Sequence, residues 1–208
     1  MVRVKICGIT SPADAIAVSS NGADAIGIVF YEKSPRNVDI TMAKSIFDAI
    51  PPFVTTVALF MDAEQTKVHR VLEEVPFDLL QFHGAESPSY CEQFSRPYIK
   101  AVPMKGGQDF YAYADAHLQA KGFLVDSHAP GEAGGTGEAF DWTQVPVDYD
   151  KPVILAGGLY PENVAQAIQT ADVYAVDVSS GVEALPGVKD KQKIQHFMQE
   201  VRRVERNP

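Results

Sequence analysis

The first ten residues, MVRVKICGIT, place a thiol and an ammonium on one predicted strand. Lys5 lies two residues before Cys7, and side chains at positions i and i+2 of a strand point to the same side. Lys5 and Cys7 therefore share one face, and Val4 and Ile6 occupy the other. An ammonium beside a thiol stabilises the thiolate, which can act as a nucleophile, a redox group or a general base. A buried structural cysteine is the alternative, because free cysteine is among the most buried residue types.

Other polar residues and glycines also follow short apolar runs of the sequence. If those runs are the parallel strands of a barrel, these residues gather at the carboxyl-terminal strand ends, where active sites of that fold lie. Their grouping favours a functional role for Cys7 over a purely structural one. The residues are Arg36, Asp62, Gln81, His83, Asp126, Gly157, Gly158, Asp177, Ser179, Ser180 and Gly181.

Eight β-rich runs alternate with helical patterns along the chain. Eight evenly spaced strand–helix units without a linker favour an α/β fold, a single (β/α)8 TIM barrel over residues 1–208. A dinucleotide-binding Rossmann domain is disfavoured, because the first strand–helix junction lacks the GxGxxG pattern. A short helix is expected near Trp142. The runs begin at Val2, Ala25, Val54, Asp78, Tyr98, Gly122, Val153 and Tyr174.

The loops after the seventh and eighth runs, AGGL and DVSSGVE, predict a phosphate site. Small residues let backbone N–H groups approach an anion, and serines add hydroxyl donors. In barrels this corner is a frequent phosphate site. Residues 134–137, GGTG, either extend this phosphate site or act as a hinge. The loop that contains them is the longest irregular stretch, and a loop of that length is usually functional or mobile.

Of the roles open to the Cys7 thiolate, these residues favour proton transfer. The order of strands in a barrel places Cys7 and Asp126 across one flank of the mouth, with the two glycine-containing loops between them. A dithiol redox site is disfavoured because the sequence has no CxxC motif. Cys91 lies within a helical pattern and is expected to be a core residue. For Asp126 to donate a proton near neutral pH, burial or neighbouring charges must raise its pKa.

Composition narrows the classes of partner. The formal net charge of the 208 residues is −9, which argues against broad binding to nucleic acid or an anionic membrane but not against a small anionic substrate. Two cysteines imply no disulfide framework. No apolar run approaches the ~18 residues of a membrane span, and the start lacks the pattern of a signal peptide. We expect a cytoplasmic protein, monomeric or homodimeric.

The segments KICGIT, SPRNV, QFHG, GGTGEAFDW, ILAGGLYPENV and DVSSGVE resemble the phosphoribosylanthranilate isomerase family of tryptophan biosynthesis. The resemblance runs from residue 3 to about residue 198. It implies an Amadori rearrangement of an aminoaldose phosphate, with no metal and no cofactor. By position, Asp126 resembles the general acid, Cys7 the general base, and Arg36 the arginine that grips the anthranilate carboxylate.

The resemblance also implies how the rest of the substrate is held. Gly157 and Gly158, with Ser179, Ser180 and Gly181, are similar to the family's phosphate cradle. His83 and Asp177 fall on positions that border the sugar.

Two alternatives stay open at this point. A metal-dependent phosphosugar epimerase would use His83, Asp126 and Asp177 as ligands, and metal analysis would distinguish it. A phosphosugar-binding barrel without turnover would leave the pairing of cysteine and aspartate unexplained. His117, like two other histidines in helical patterns, is expected to be solvated or flanking, and His128 is left without a role.

Overall fold

The computed structural model describes residues 1–105, 107–128 and 140–206, with side chains described up to residue 204. Eight parallel strands, β1 to β8, form a closed barrel in which each strand pairs with the next and β8 pairs with β1. The predicted (β/α)8 barrel is confirmed. The strands are β1 Arg3–Cys7, β2 Ala25–Val29, β3 Thr55–Phe60, β4 Leu79–Phe82, β5 Tyr98–Pro103, β6 Phe123–Asp126, β7 Val153–Leu155 and β8 Ala175–Val178.

Helices cover the outside of the barrel. Several begin as their sequences predict: the side chains of Ser11 and Ser87 each accept a backbone N–H, and a proline occupies the first helical position after each. None of the described helices is long and apolar enough to span a membrane. The helices are α1 Pro12–Ser20, α2 Ile40–Asp48, α3 Gln65–Glu74, α4 Pro88–Glu92, α5 Phe110–Ala116, α6 Pro161–Thr170 and α7 Lys191–Arg206.

Two connections depart from the simple strand–helix repeat. In the described part between β6 and β7, a 3-10 turn over Trp142–Gln144 stands where a short helix was expected. After β8, a 3-10 turn over Ser180–Val182 leads into an antiparallel hairpin of β9 Glu183–Leu185 and β10 Val188–Lys189. No pattern in the sequence predicts this hairpin, which brings Glu183 and Lys189 back to the barrel mouth.

The side-chain directions of β1 confirm the expected division of faces. Ile6 packs outward in the large core between barrel and helices. Lys5 lies opposite Asp177 of β8 in the strand register. In α1, Ile16 is 52% exposed, whereas Ala17 is buried. Cys91 is fully buried in the core, as expected.

Candidate active site

A pocket opens at the carboxyl-terminal ends of the strands and brings together most of the predicted polar residues. Its apolar wall comes from β2, β3 and the segments that follow them, through Val29, Tyr31, Leu59 and Met61. The predicted residues Gly157, Gly158, Ser180 and Gly181 are not part of the lining. The polar lining consists of Cys7, Ser34, Arg36, Gln81, His83, Asp126, Asp177 and Ser179.

Cys7 lies beside a buried ion pair. Lys5 Nζ lies 2.9 Å from Asp177 Oδ1, and both side chains are less than a tenth exposed. Burial alone would lower the pKa of Lys5, but the charges of Asp177 and Cys7 outweigh burial and raise it. Lys5 therefore stays charged and satisfies Asp177. The pair fixes a cation and an anion next to the thiol.

The expected lowering of the Cys7 pKa is wrong for the free protein. Burial raises the pKa of the thiol, Asp177 raises it further, and Lys5 offsets only part of the increase. A raised pKa makes the thiolate a stronger base but leaves less of it ionised at neutral pH. Gly27 on β2 leaves room for the thiol, because a Cβ there would lie 2.6 Å from Sγ.

Asp126 faces two histidines. His83 Nε2 lies 3.4 Å and His128 Nδ1 3.5 Å from Asp126 Oδ2. Burial alone would raise the pKa of Asp126, but the two imidazoles outweigh it and hold the pKa well below the usual range. The expectation of a raised pKa is therefore wrong for the free protein. The only sequence signal for His128 was its place two residues beyond the strand end.

A buried ion pair anchors the loop that follows β4 and carries His83. Lys100 Nζ lies 3.2 Å from Glu86 Oε2 and donates to the carbonyl oxygen of Gly84 at 2.6 Å. Glu86 accepts the backbone N–H of Gly84 and that of Asp62. Asp62 serves this loop, where its carboxylate accepts the N–H of Ala85 at 2.7 Å, and it does not line the pocket.

Arg36 belongs to a buried cluster that lacks one negative charge. Its Nε and Nη2 donate to the two carboxylate oxygens of Glu183 at 2.7 and 2.8 Å, and Lys189 donates to the same carboxylate at 2.9 Å. Two cations share one anion, so the cluster carries a net charge of +1. Glu183 and Lys189 were missed because they reach the mouth only through the hairpin β9–β10.

The loops after β7 and β8 pack against each other at the mouth. Gly181 lies so close to the seventh loop that a Cβ would stand on the carbonyl oxygen of Leu159. Gly157 and Gly158 adopt positive φ, where glycine is favoured. A Cβ on Gly157 would lie 2.8 Å from Asp126 Oδ1, so this glycine borders the Asp126 carboxylate. Residues 134–137, the possible extension of the cradle, lie outside the described residues.

His117 is not the solvated or flanking residue that its helical pattern predicts. It is buried at the end of α5, and its ring stacks on Tyr113 with ring centroids 5.5 Å apart. Burial, with a smaller contribution from Lys100, lowers the pKa of His117 to about 4. His117 is therefore a neutral packing residue at neutral pH.

The geometry agrees with comparisons to known proteins. The family model for N-(5'-phosphoribosyl)anthranilate isomerase matches residues 4–200. A Pseudomonas fluorescens protein of that name is 54% identical over 201 residues, which cover 97% of this chain and 96% of the relative.

Two solved structures are also similar. One, a phosphoribosyl anthranilate isomerase in complex with reduced 1-(o-carboxyphenylamino)-1-deoxyribulose 5-phosphate, has a TM-score of 0.85 at 37% identity, covering 97% of this chain and 99% of that one. The other describes monomers of the dimeric Thermotoga maritima isomerase, with a TM-score of 0.80 at 33% identity and the same coverage. The pocket, the fold and the matched length together place this chain in the phosphoribosylanthranilate isomerase family.

Proposed function

We propose that this chain converts N-(5-phosphoribosyl)anthranilate to 1-(2-carboxyphenylamino)-1-deoxyribulose 5-phosphate, an Amadori rearrangement in tryptophan biosynthesis. The observation that carries the proposal is one pocket that holds Cys7 and Asp126 together with Arg36 and Ser179. An aldose-to-ketose shift needs one acid and one base around the sugar. Anchors at both ends of the substrate would fix the reacting carbon between them. Membership of the family supports the same activity.

Asp126 and Cys7 divide the two proton transfers. Asp126 donates a proton to the furanose ring oxygen, the bond from that oxygen to C1 breaks, and the nitrogen lone pair leaves the open chain as a protonated imine. The Cys7 thiolate removes the proton from C2, the electron pair of that C–H bond forms the C1–C2 double bond, and the C=N electron pair returns to nitrogen. The enol that results becomes the ketone by tautomerisation. One proton enters at the ring oxygen and one leaves from C2.

The anchors hold the two anionic ends of the substrate. The carboxylate of the anthranilate supplies the negative charge that the Arg36–Glu183–Lys189 cluster lacks. The phosphate lies against the loops after β7 and β8, at Gly158 and residues 179–181. His83 and Asp177 border the sugar, since both line the pocket between these ends.

The decisive experiment is turnover of phosphoribosylanthranilate by purified protein with a metal chelator present. Full activity under chelation supports acid–base catalysis by side chains alone. Activity that disappears with chelation and returns with metal would instead favour the metal-dependent epimerase type of site. Binding without any turnover would identify a phosphosugar-binding protein.

Arg36→Met is expected to raise the KM for phosphoribosylanthranilate roughly 10- to 100-fold, the scale of a charge-assisted hydrogen bond to a carboxylate. Methionine keeps the length and apolar stem but cannot grip a carboxylate bidentately. The variant should fold, because Glu183 keeps Lys189 as a partner. Steady-state kinetics measures the effect.

The control for Arg36→Met is a second ligand. Inhibition by a sugar phosphate without a carboxylate should change far less than the KM does. Arg70→Met, at an exposed position of α3, should leave both constants unchanged. Equal losses for the two ligands would contradict the assignment of Arg36 to the carboxylate.

The N-terminal face of the barrel favours a homodimer over a monomer. Phe53 is fully exposed there with a φ of 72°, a costly conformation for a bulky residue. A cavity of about 330 Å³ on the same face includes Leu79, Ile99 and Ile154 in its lining. Pairing of two copies through this face would remove both features from water.

Phe53→Asp is expected to make the protein monomeric, because it places a charge in the proposed apolar interface. Light scattering over a concentration series measures the mass of both proteins. If the wild type and Phe53→Asp are both dimers, this choice of face is contradicted. A monomeric wild type would contradict the homodimer itself. The cytoplasmic location and the lack of binding to nucleic acid and membrane stay predictions.

A further inference from the structure

Two imidazoles and one carboxylate converge where β4 and β6 end. His83 Nε2 and His128 Nδ1 lie 3.4 and 3.5 Å from the same oxygen, Asp126 Oδ2. One ligand atom from each of the three residues lies within 4.8 Å of the others. Asp177 is not a fourth member, because Lys5 already holds its carboxylate. The proton-transfer reaction proposed above gives these two histidines no common task.

The two imidazole nitrogens lack hydrogen-bond partners among the described residues, although both are buried. His83 is 8% and His128 4% exposed, and neither His83 Nε2 nor His128 Nδ1 has a partner of hydrogen-bond geometry. Such groups are uncommon in folded proteins, because each loses its hydration on burial. Their rings stack with centroids 4.6 Å apart and planes 27° apart, and the two nitrogens lie near the same carboxylate oxygen of Asp126.

Gln81 can set the tautomer of His83 that a cation requires. Its amide lies against His83 Nδ1 at 3.0 Å, and its Oε1 has no other partner among the described residues. The two ends of an amide are interchangeable by rotation. With Oε1 turned to Nδ1–H, the proton stays on Nδ1 and Nε2 offers a lone pair, as in metal-binding histidines whose other nitrogen is hydrogen-bonded.

The spacing fits a small transition-metal cation. Ligand bonds of about 2.0–2.1 Å in a tetrahedron place neighbouring ligand atoms about 3.3 Å apart. The two separations to Asp126 Oδ2 are close to that value. Two imidazoles and one carboxylate favour cations such as Zn²⁺, Co²⁺ or Ni²⁺ over Mg²⁺ or Ca²⁺. A cation binds imidazole through its lone pair, so the ligand set of two imidazoles and the Asp126 carboxylate would supply one negative charge, and two of its members, His83 and Asp126, line the pocket.

We propose that His83, Asp126 and His128 form an inhibitory binding site for a divalent transition-metal cation. The cation would occupy the carboxylate that donates the proton, so metal and turnover exclude each other. The inhibitory part of this proposal rests on the proposed function, whereas the binding part does not.

The binding test is titration of chelator-treated protein with Co²⁺, followed by the visible absorption of the bound ion. We expect saturation at one equivalent and at least a tenfold loss of affinity in His128→Gln, with His83→Gln as an independent second variant. His196→Gln, at an exposed position of α7, should bind like wild type. Absence of a bound-ion spectrum in the wild type would overturn the site. Wild-type affinity for Co²⁺ in both His83→Gln and His128→Gln would overturn it as well.

The second test separates this site from the nearby thiol and from the reaction. Cys7→Ser should bind Co²⁺ as tightly as wild type, and a cobalt–thiolate absorption band lost in that variant would move the site to Cys7. Zn²⁺ should inhibit turnover reversibly and inhibit His128→Gln at least tenfold less strongly. Co²⁺ binding without Zn²⁺ inhibition would overturn the inhibitory role. Absence of turnover even under chelation would instead refute the proposed function and leave the binding result intact.

Discussion

Cys7→Ser is expected to leave the protein folded and able to bind phosphoribosylanthranilate, but to lower kcat by roughly 10²-fold or more. Serine keeps the shape of cysteine, and Gly27 leaves the same space beside it. The hydroxyl is a far weaker acid than the thiol, so almost none of it is ionised to accept the C2 proton. Steady-state kinetics and thermal unfolding measure the two expectations.

Cys91→Ala is the matched control for that experiment. Cys91 is fully buried in the core, so its truncation is expected to lower the unfolding temperature without lowering kcat. The two cysteines should thus show opposite patterns, one losing catalysis and the other stability. A Cys7→Ser protein with nearly normal kcat would return Cys7 to a structural role.

Asp126→Asn is expected to reduce kcat by at least as much, roughly 10²- to 10⁴-fold, because the amide cannot supply an acidic proton to the ring oxygen. Asparagine keeps the size of aspartate but not its charge. His83 and His128 therefore lose the carboxylate that they face. Kinetics under chelation measures the loss, and the elution volume on gel filtration checks the fold. Substantial remaining activity would mean that His83 or Asp177 supplies the proton.

The pH profile tests the same assignment independently. The proposed mechanism requires Asp126 protonated and Cys7 ionised, although the pKa of Asp126 is lowered and that of Cys7 is raised in the free protein. Between the two pKa values, the protonated fraction of Asp126 falls with pH as fast as the ionised fraction of Cys7 rises. Wild-type kcat/KM should therefore be flat across neutral pH and fall on both sides.

The two variants should tilt that plateau in opposite directions. Asp126→Asn removes the falling fraction, so kcat/KM should rise about tenfold per pH unit until Cys7 is ionised. Cys7→Ser removes the rising fraction, so kcat/KM should fall with pH. The macroscopic pKa values belong to the coupled groups, so the slopes and not the midpoints decide. Flat profiles in both variants would remove Asp126 and Cys7 from the proton transfers.

The barrel and the grouping of Cys7 with Asp126 in one pocket could be predicted because their signals are local or periodic. Strand spacing indicates the fold, and the i, i+2 rule places Lys5 and Cys7 on one face. The position of Asp126 at a strand end then follows from the fold. The roles proposed for both residues rest on the family resemblance as well, since spacing alone leaves several reactions open.

The partners of these residues could not be predicted, because they depend on contacts a few ångströms long between distant parts of the chain. Glu183 lies 147 residues from Arg36 in sequence and reaches it through an unpredicted hairpin. The predicted directions of the pKa shifts of Asp126 and Cys7 were wrong for the same reason. The effect of two histidines on Asp126, or of burial on Cys7, is set by distances that no sequence pattern encodes.

The ion pairs of the mouth have a consequence for the order in which the chain is made. Lys5 and Arg36 emerge early from the ribosome, whereas their partners Asp177 and Glu183 come 172 and 147 residues later. Until then, closing the first strands over these cations would bury unpaired charge, which is strongly unfavourable. We therefore expect the nascent amino-terminal strands to stay open, and the mouth of the barrel to form only when the last strand and its hairpin have been made.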